Sequence, residues 1–518
     1  MTDSFVTIVD MLQKSAELFP EKAALMDGAV SLTYGQLQTR ANALARYLIE
    51  QGVRAGDRVG ISLGKSIEAV IAIFGIAAAG GVFVSLNPRL TTAQLLYHIE
   101  HCGIKCMIMA PGKNGGLGGV KDLLMIDAGA FDSILAPYLR TPSSGEGIAK
   151  TDLATIIYTS GSTGFPKGVM LNHGNLTLGA EIVTGYLKNT PDDVIISVLP
   201  FYFDYGLNQL LTALRVGATL VLQRSLFPND ICDTLIHKRV TGFAGVPSIW
   251  VMLLQPLSMF RKLMFPDLRY ITNSGGSIPV AYIRELRQKL KNTQIYLMYG
   301  LTEAFRSTYL PPEEIDHRPT SIGKAIDGVT LSIINPEGKE CGVDEAGELV
   351  HRGGVIFQGY WNDSSATARV LKPLPFDRQQ TPAVWSGDIV KKDAQGFLYF
   401  IGRNDEMIKC LGHRISPHEI EHVLHRLEPV REAVVFGVDD EMLGHKIKAV
   451  VSLNGVPPAH GVYEKTISDF CKKELPGHMV PREIEIVDEL PKTPTGKIDR
   501  AYVKKQYGLR EENGRSVR

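Results

Sequence analysis

The sequence predicts an α/β protein made of a large domain followed by a smaller α+β one. Strand-like apolar runs alternate with helical patterns through most of the chain. Its 518 residues exceed what a single hydrophobic core serves, so at least two domains are expected. The character of the sequence also changes after about Gly402.

The strand-like runs begin with Asp57–Leu63 (DRVGISL), followed by a helical pattern, then Gly81–Asn87 (GVFVSLN), Tyr97–Gly103 (YHIEHCG) and Lys105–Pro111 (KCMIMAP). Further along come Asp193–Leu199, Ala218–Gln223, Phe243–Pro247 and Leu268–Gly276. Such alternation implies crossover connections and a parallel, helix-covered sheet. Pro111–Gly119 and Thr141–Glu146 read as loops. Ala69–Leu86 is about as long and apolar as a membrane span. Gly80-Gly81 divides it, however, into a small-residue helix and a strand, which suits a buried crossover.

Beyond Gly402 the pattern is compact and mixed. His418–Leu427 reads as an amphipathic helix, Glu432–Val438 and Lys446–Leu453 as strands, and Ser468–Leu475 as a helix. The expected division is residues 1–402, a hinge at 403–406, and a C-terminal domain at 407–518, of ordinary size for a small domain.

Lys plus Arg (55) balance Asp plus Glu (55), with no long run of like charge, which argues against nucleic acid as a partner. The six cysteines are scattered and match no common zinc spacing, so they read as buried or idle thiols. The N-terminal residues lack a basic lead-in to an apolar run, so no secretory signal is expected. A cytoplasmic enzyme with no membrane span is the expectation.

Tyr158-Thr-Ser-Gly-Ser-Thr-Gly-Phe-Pro-Lys-Gly168 follows the apolar strand Ala154–Tyr158 and holds the densest chemistry in the chain. Glycines let backbone N–H groups approach an anion, hydroxyls donate to its oxygens, and Lys167 adds a cation. The combination fits a triphosphate. It differs from the common mononucleotide loop, because Pro166 precedes the lysine and Gly168-Val169-Met170 continues as extended chain. A flexible linker of similar composition would not follow a buried strand or hold a lysine.

This loop resembles the signature of the adenylate-forming superfamily of acyl-CoA synthetases, luciferases and peptide-synthetase adenylation domains. The resemblance covers nearly the whole chain, and within the superfamily the sequence looks closest to the stand-alone ligases found beside exosortase systems. It implies a large N-terminal domain of stacked α/β subdomains plus a small β-barrel-like part, with a mobile α+β C-terminal domain. It also implies ATP-dependent activation of a carboxylate to an acyl adenylate, release of pyrophosphate, and transfer to a thiol.

By that resemblance, Thr159, Ser160, Gly161, Ser162, Thr163, Gly164 and Lys167 hold ATP phosphates. Ser274, Gly275 and Gly276 line the adenine pocket. In Tyr299-Gly300-Leu301-Thr302-Glu303 the tyrosine and Gly300 meet the nucleotide, Thr302 touches the α-phosphate, and Glu303 holds Mg2+, a hard cation suited to an oxygen ligand. Asp388, in Trp385-Ser-Gly-Asp, accepts the ribose hydroxyls, and Arg403 also contacts the nucleotide. Lys497, in Pro-Thr-Gly-Lys, is the catalytic lysine that offsets charge between carboxylate and α-phosphate. Asp405 is the hinge residue, and Gly412, His413 and Arg414 face the site in a second, thiol-accepting state.

The acyl pocket is expected from Phe203, Asp204, Tyr205, Asn208, Thr272, Ser274, Met298, Arg306 and Ser307. Amino-acid-activating members carry an aspartate at the place of Asp204, where it pairs with the α-ammonium. Arg306, three positions beyond Glu303, either neutralises Asp204 or meets a second polar or acidic group together with Asn208 and Ser307. The acid is therefore expected to be a small carboxylate or amino acid. Its acceptor is free CoA or the phosphopantetheine of a separate acyl carrier protein. A small-acid CoA ligase with Asp204 masked by Arg306 is the alternative, and a non-catalytic relative is disfavoured by the joint presence of Glu303, Asp388, Arg403 and Lys497.

Overall fold

The computed structural model describes residues 5–113, 116–140, 147–159, 166–404, 406–410, 413–440, 444–454 and 462–508. Its strands form three sheets.

The six-stranded sheet runs Leu124–Asp127, Ile104–Met109, Arg58–Ser62, Val82–Ser85, Leu153–Thr159, Lys167–Asn172. All neighbours are parallel except the last pair, an antiparallel hairpin. The apolar stretch beginning at Ala69 is the crossover expected. The helix Ile67–Ala78 is capped by the Ser66 hydroxyl, which accepts from the Ala69 N–H, and is buried all round. Gly80 then turns the chain with φ of +74°, left-handed backbone that glycine adopts without strain, and the strand Val82–Ser85 follows. Among the described residues no helix is long and apolar enough to cross a membrane. Tyr97–Gly103, grouped above with the apolar runs, lies in the helix Thr92–Cys102, closed by Gly103 in a left-handed cap.

The thirteen-stranded sheet has a parallel middle: Gln294–Leu301, Tyr270–Asn273, Gly242–Gly245, Val194–Ser197, Thr219–Leu222 and Ala23–Asp27 lie side by side in that order. At one edge Val30–Thr33 folds back on Ala23–Asp27. At the other, Ala304–Leu310, Ser321–Ala325, Leu398–Arg403, Val384–Lys392, Gly347–Gly353 and Val329–Ile334 continue as antiparallel strands. The small β part expected beside the α/β layers is this antiparallel stretch, hydrogen-bonded into the long sheet.

Two features lock the first two sheets together. One apolar core packs the helices Ile8–Leu18, Tyr34–Glu50 and Ile67–Ala78 with side chains from both. In addition, the strand Lys167–Asn172 exchanges backbone bonds with a later segment: Gln358 and Trp361 N–H donate to Met170 and Gly168 carbonyls, and Met170 N–H donates to Gly359.

The third sheet orders His413–Ile415, Ile408–Cys410, Gly444–Leu453 and Val430–Asp440, with Glu483–Val487 parallel to Gly444–Leu453. It has its own core with the helices Pro417–Leu424 and Val462–Glu474. The strands and helices anticipated beyond Gly402 are therefore present. The six cysteines are buried and free.

Candidate active site

The strands flanking the expected phosphate loop form the antiparallel hairpin Leu153–Thr159/Lys167–Asn172, in which Thr159 pairs with Lys167. Ser160, Gly161, Ser162, Thr163 and Gly164 lie outside the described residues. The hairpin delivers the Lys167 ammonium to 5.2 Å from the centre of the Tyr360 ring. The Tyr360 hydroxyl in turn donates to Glu303 Oε1 at 2.6 Å. Burial, then the Glu303 carboxylate, pushes that hydroxyl up, so it stays protonated and remains a donor. Thr302 and Glu303 are the two-residue tip of the hairpin joining Gln294–Leu301 to Ala304–Leu310, where Leu301 faces Ala304. Two loops about 140 residues apart in sequence thus meet through one tyrosine.

The residues expected on the nucleoside side are organised by strand pairing. Asp388 and Arg403 face each other on adjacent strands, with Arg403 Nη1 3.2 Å from Asp388 Oδ1. The Tyr299 hydroxyl donates to Asp388 Oδ2 at 2.5 Å. Burial and then Asp388 push Tyr299 well above the ordinary tyrosine range. Its ring stacks on the His351 imidazole, 6.1 Å between centroids and 22° between planes. His351 is fully buried and pulled down to about 3 by that burial, so it is neutral. Ser274, just past the strand Tyr270–Asn273, is buried, and Gly275 turns with φ of +80°.

The C-terminal unit reaches into this site through a tight turn. Gly496 N–H donates to Thr493 O at 2.9 Å, and Thr493 N–H donates to Lys497 O at 2.7 Å. The Tyr202 hydroxyl donates to Pro494 O at 3.3 Å. The Lys497 ammonium lies 5.1 Å from the Phe203 ring centre. Its stem rests on Gly275, where a Cβ would come within 2.7 Å of Lys497 Cε. Burial pulls this ammonium below the ordinary lysine range, while Asp204 and Asp388 oppose the shift. Arg500, three residues on, ties the turn to its own domain: Nη1 lies 2.8 Å from Glu421 Oε1 and Nε 3.2 Å from Glu406 Oε2.

On the acyl side the helix Asp204–Val216 starts at Phe203 and presents Asp204, Tyr205 and Asn208 on its first turns. Asp204 and Arg306 are both buried, with Arg306 Nη1 3.7 Å from Asp204 Oδ2. The Tyr205 and Thr272 hydroxyls share a hydrogen bond of 2.5 Å. Met298 sulfur accepts from the Tyr186 hydroxyl at 2.9 Å. Tyr186 stacks on Tyr309 with centroids 4.3 Å apart. Aromatic rings therefore fill the region behind the expected wall residues.

Ser307 departs from its expected place beside Arg306. Successive residues of a strand point to opposite faces. Its hydroxyl accordingly bonds His351 Nδ1 at 2.9 Å, on the Tyr299 side, while Arg306 faces Tyr205 at 4.9 Å. Asp405 and Gly412 lie outside the described residues; His413 and Arg414 open the strand His413–Ile415. His173 is buried, accepts from the Ile8 N–H at 3.4 Å, and is pulled down to about 4 by burial, so it anchors the N-terminal helix.

Tyr360, His351 and Tyr186 escape sequence reasoning. None stands in a recognisable pattern; the one available hint was an aromatic pair, Tyr360-Trp361, after Gly359.

A family model described as AMP-binding enzyme matches residues 12–361, and one described as AMP-binding enzyme C-terminal domain matches 419–497. The chain is 30% identical over 496 residues to bacitracin synthase 3 of Bacillus licheniformis, covering 95% of this chain. It spans only 8% of that relative's length. It is 27% identical over 556 residues to a long-chain-fatty-acid–CoA ligase of Escherichia coli O157:H7, covering 99% of this chain and 96% of the relative. Among solved structures it is similar to an anthranilate CoA ligase in complex with anthranoyl-AMP, with a TM-score of 0.89, 26% identity and 98% of each chain covered.

Proposed function

The chain belongs to the AMP-binding enzyme family, and from that premise we propose that it activates a carboxylate with ATP and passes the acyl group to a thiol. In the first step a carboxylate oxygen attacks the α-phosphorus and pyrophosphate leaves. In the second a thiol attacks the acyl carbon and AMP leaves. The observation that carries this reading is the position of Lys497, whose ammonium lies 5.1 Å from the Phe203 ring centre and whose stem rests on Gly275, within the electrostatic reach of both Asp204 and Asp388. An ammonium held there offsets the negative charge that builds between the carboxylate and the α-phosphate.

The remaining roles are those the family resemblance implies. Lys167, with the loop it closes, meets the departing phosphates. Tyr299 offers its ring to the base, and Asp388 with Arg403 takes the ribose. Thr302 reaches the α-phosphate. Glu303 fits a magnesium ion, because its donors are hard oxygens and the Tyr360 hydroxyl fixes one of them. A bound magnesium ion would offset phosphate charge.

A small polar or amino acid is the substrate this pocket supports. Tyr186, stacked on Tyr309 and bonded to the expected wall residue Met298, and Tyr205, packed under Arg306, support a short pocket. Loading onto the phosphopantetheine of a carrier protein fits the likeness to a segment of bacitracin synthase 3. Transfer to free CoA is the second reading, favoured by the CoA ligase of matching length.

Pyrophosphate exchange across amino acids and simple carboxylic acids, with wild type and Lys497→Ala, tests the activation. Exchange should fall about 100- to 1,000-fold in the variant. Undiminished exchange would refute the role of Lys497. Incubation with CoA and, separately, with a pantetheinylated carrier protein distinguishes the two acceptors by mass.

A further inference from the structure

Arg306 is 3% exposed, yet its donors are poorly used. Nε donates to Asn208 Oδ1 at 3.4 Å. Nη1 lies 3.7 Å from Asp204 Oδ2, too far for a direct hydrogen bond. Nη2 is buried without a hydrogen-bond partner. The amide nitrogen of Asn208, a residue 2% exposed, is likewise buried without one. Buried donors left unmade are destabilising, and native structures seldom keep two together without reason. The two residues are joined by the Nε–Oδ1 bond, and the spare guanidinium donor above all calls for an acceptor that arrives from outside.

Charge narrows what arrives. On the acyl side stand Arg306 and Lys497 against Asp204, and Lys497 is matched by the carboxylate that reacts. The long Asp204–Arg306 separation leaves each short of a close partner. A second substrate carboxylate meets Arg306 and Asn208, and a substrate ammonium meets Asp204; together they add no net charge to a buried site. A plain dicarboxylate would leave two anions against one guanidinium. An amino acid without a side-chain acceptor would leave Arg306 Nη2 and Asn208 Nδ2 unbonded, and a side-chain amide would offer the guanidinium an oxygen but no charge. Both are unfavourable where water is excluded.

We infer that Arg306 and Asn208 form a subsite for a second carboxylate, so that the acid activated is an amino dicarboxylic acid with its ammonium on Asp204. The inference rests on the activation reading above.

Pyrophosphate exchange with aspartate and glutamate, their side-chain amides, and the deamino acids succinate and glutarate tests it on wild type. An acidic amino acid should exceed its amide and its deamino counterpart by about tenfold or more in kcat/KM. Arg306→Leu should abolish the preference over the amide while KM for ATP stays unchanged, and Asp204→Asn should abolish the preference over the deamino acid. Strongest wild-type exchange with an acid lacking a second carboxylate overturns the subsite and leaves the activation standing. Exchange with none of a broad panel of acids overturns both. Because the wild-type comparison decides the matter, a variant that fails to fold does not.

Discussion

Replacing Gly275 with alanine tests whether Lys497 works from the position described. The new Cβ would stand 2.7 Å from Lys497 Cε and 3.3 Å from Nζ. Carbon pairs settle at about 3.5–4.0 Å, so the tip of the lysine would have to retreat by roughly 1 Å. A displacement of that size at a reacting centre costs about 100-fold in rate. The φ of +80° adds about 1–2 kcal/mol of local strain for any residue with a Cβ. The assay is pyrophosphate exchange at saturating ATP with the best acid. Gly185→Ala is the control: its Cβ would meet nothing within 4 Å, and no positive φ is involved. The control should stay within about threefold of wild type, whereas Gly275→Ala should lose about 100-fold. Equal losses in both variants, or near-normal exchange in Gly275→Ala, would refute the lysine placement.

Tyr360→Phe removes the hydroxyl on Glu303, a hydrogen bond to a charged group. The magnesium concentration giving half-maximal exchange should rise about tenfold, while the KM of the acid holds. Arg500→Met strands Glu421 and Glu406. With 24% of the guanidinium side chain exposed, the cost lies between that of surface and buried pairs, about 2 kcal/mol, measurable as a lower urea midpoint. Stability should also fall on acidification. Burial holds His173 and His425 at about 4 and His351 at about 3, so the unfolded chain takes up protons first and their contribution disappears as pH drops from 6.5 toward those values. Glu421, which Arg500 and His418 hold far below its ordinary 4.5 against the opposing cost of burial, adds a loss beneath that pH. A urea midpoint unchanged between pH 7 and 5 would refute the histidine part.

Much of the site was legible because it is local. A hydroxyl–glycine–lysine loop after a buried strand, a tyrosine-to-glutamate run and a Thr-Gly-Lys turn each carry their chemistry within a few residues. The strands of the α/β region were legible for the same reason: Val82–Ser85 and Tyr270–Asn273 are short, strand-prone runs with glycine close to one end. What escaped depends on pairing across long separations. Tyr360 reaches Glu303 because its segment bonds to the strand bearing Lys167, and Val169 bridges Tyr360. Ser307 was placed on the wrong face because alternation along a strand can be read only once its register is known.

Short-range order in the chain was enough to establish an α/β protein with a smaller α+β unit and to single out a candidate phosphate loop and a lysine turn, since backbone propensity and side-chain chemistry act over a few residues. Only the tertiary structure decided which strands share the thirteen-stranded sheet, that Lys497 lies on Gly275, and that Arg306 stands buried 3.7 Å from Asp204 with a donor to spare. Those outcomes depend on burial and on distances between residues far apart in sequence, which arise when the sheets and the C-terminal unit pack together.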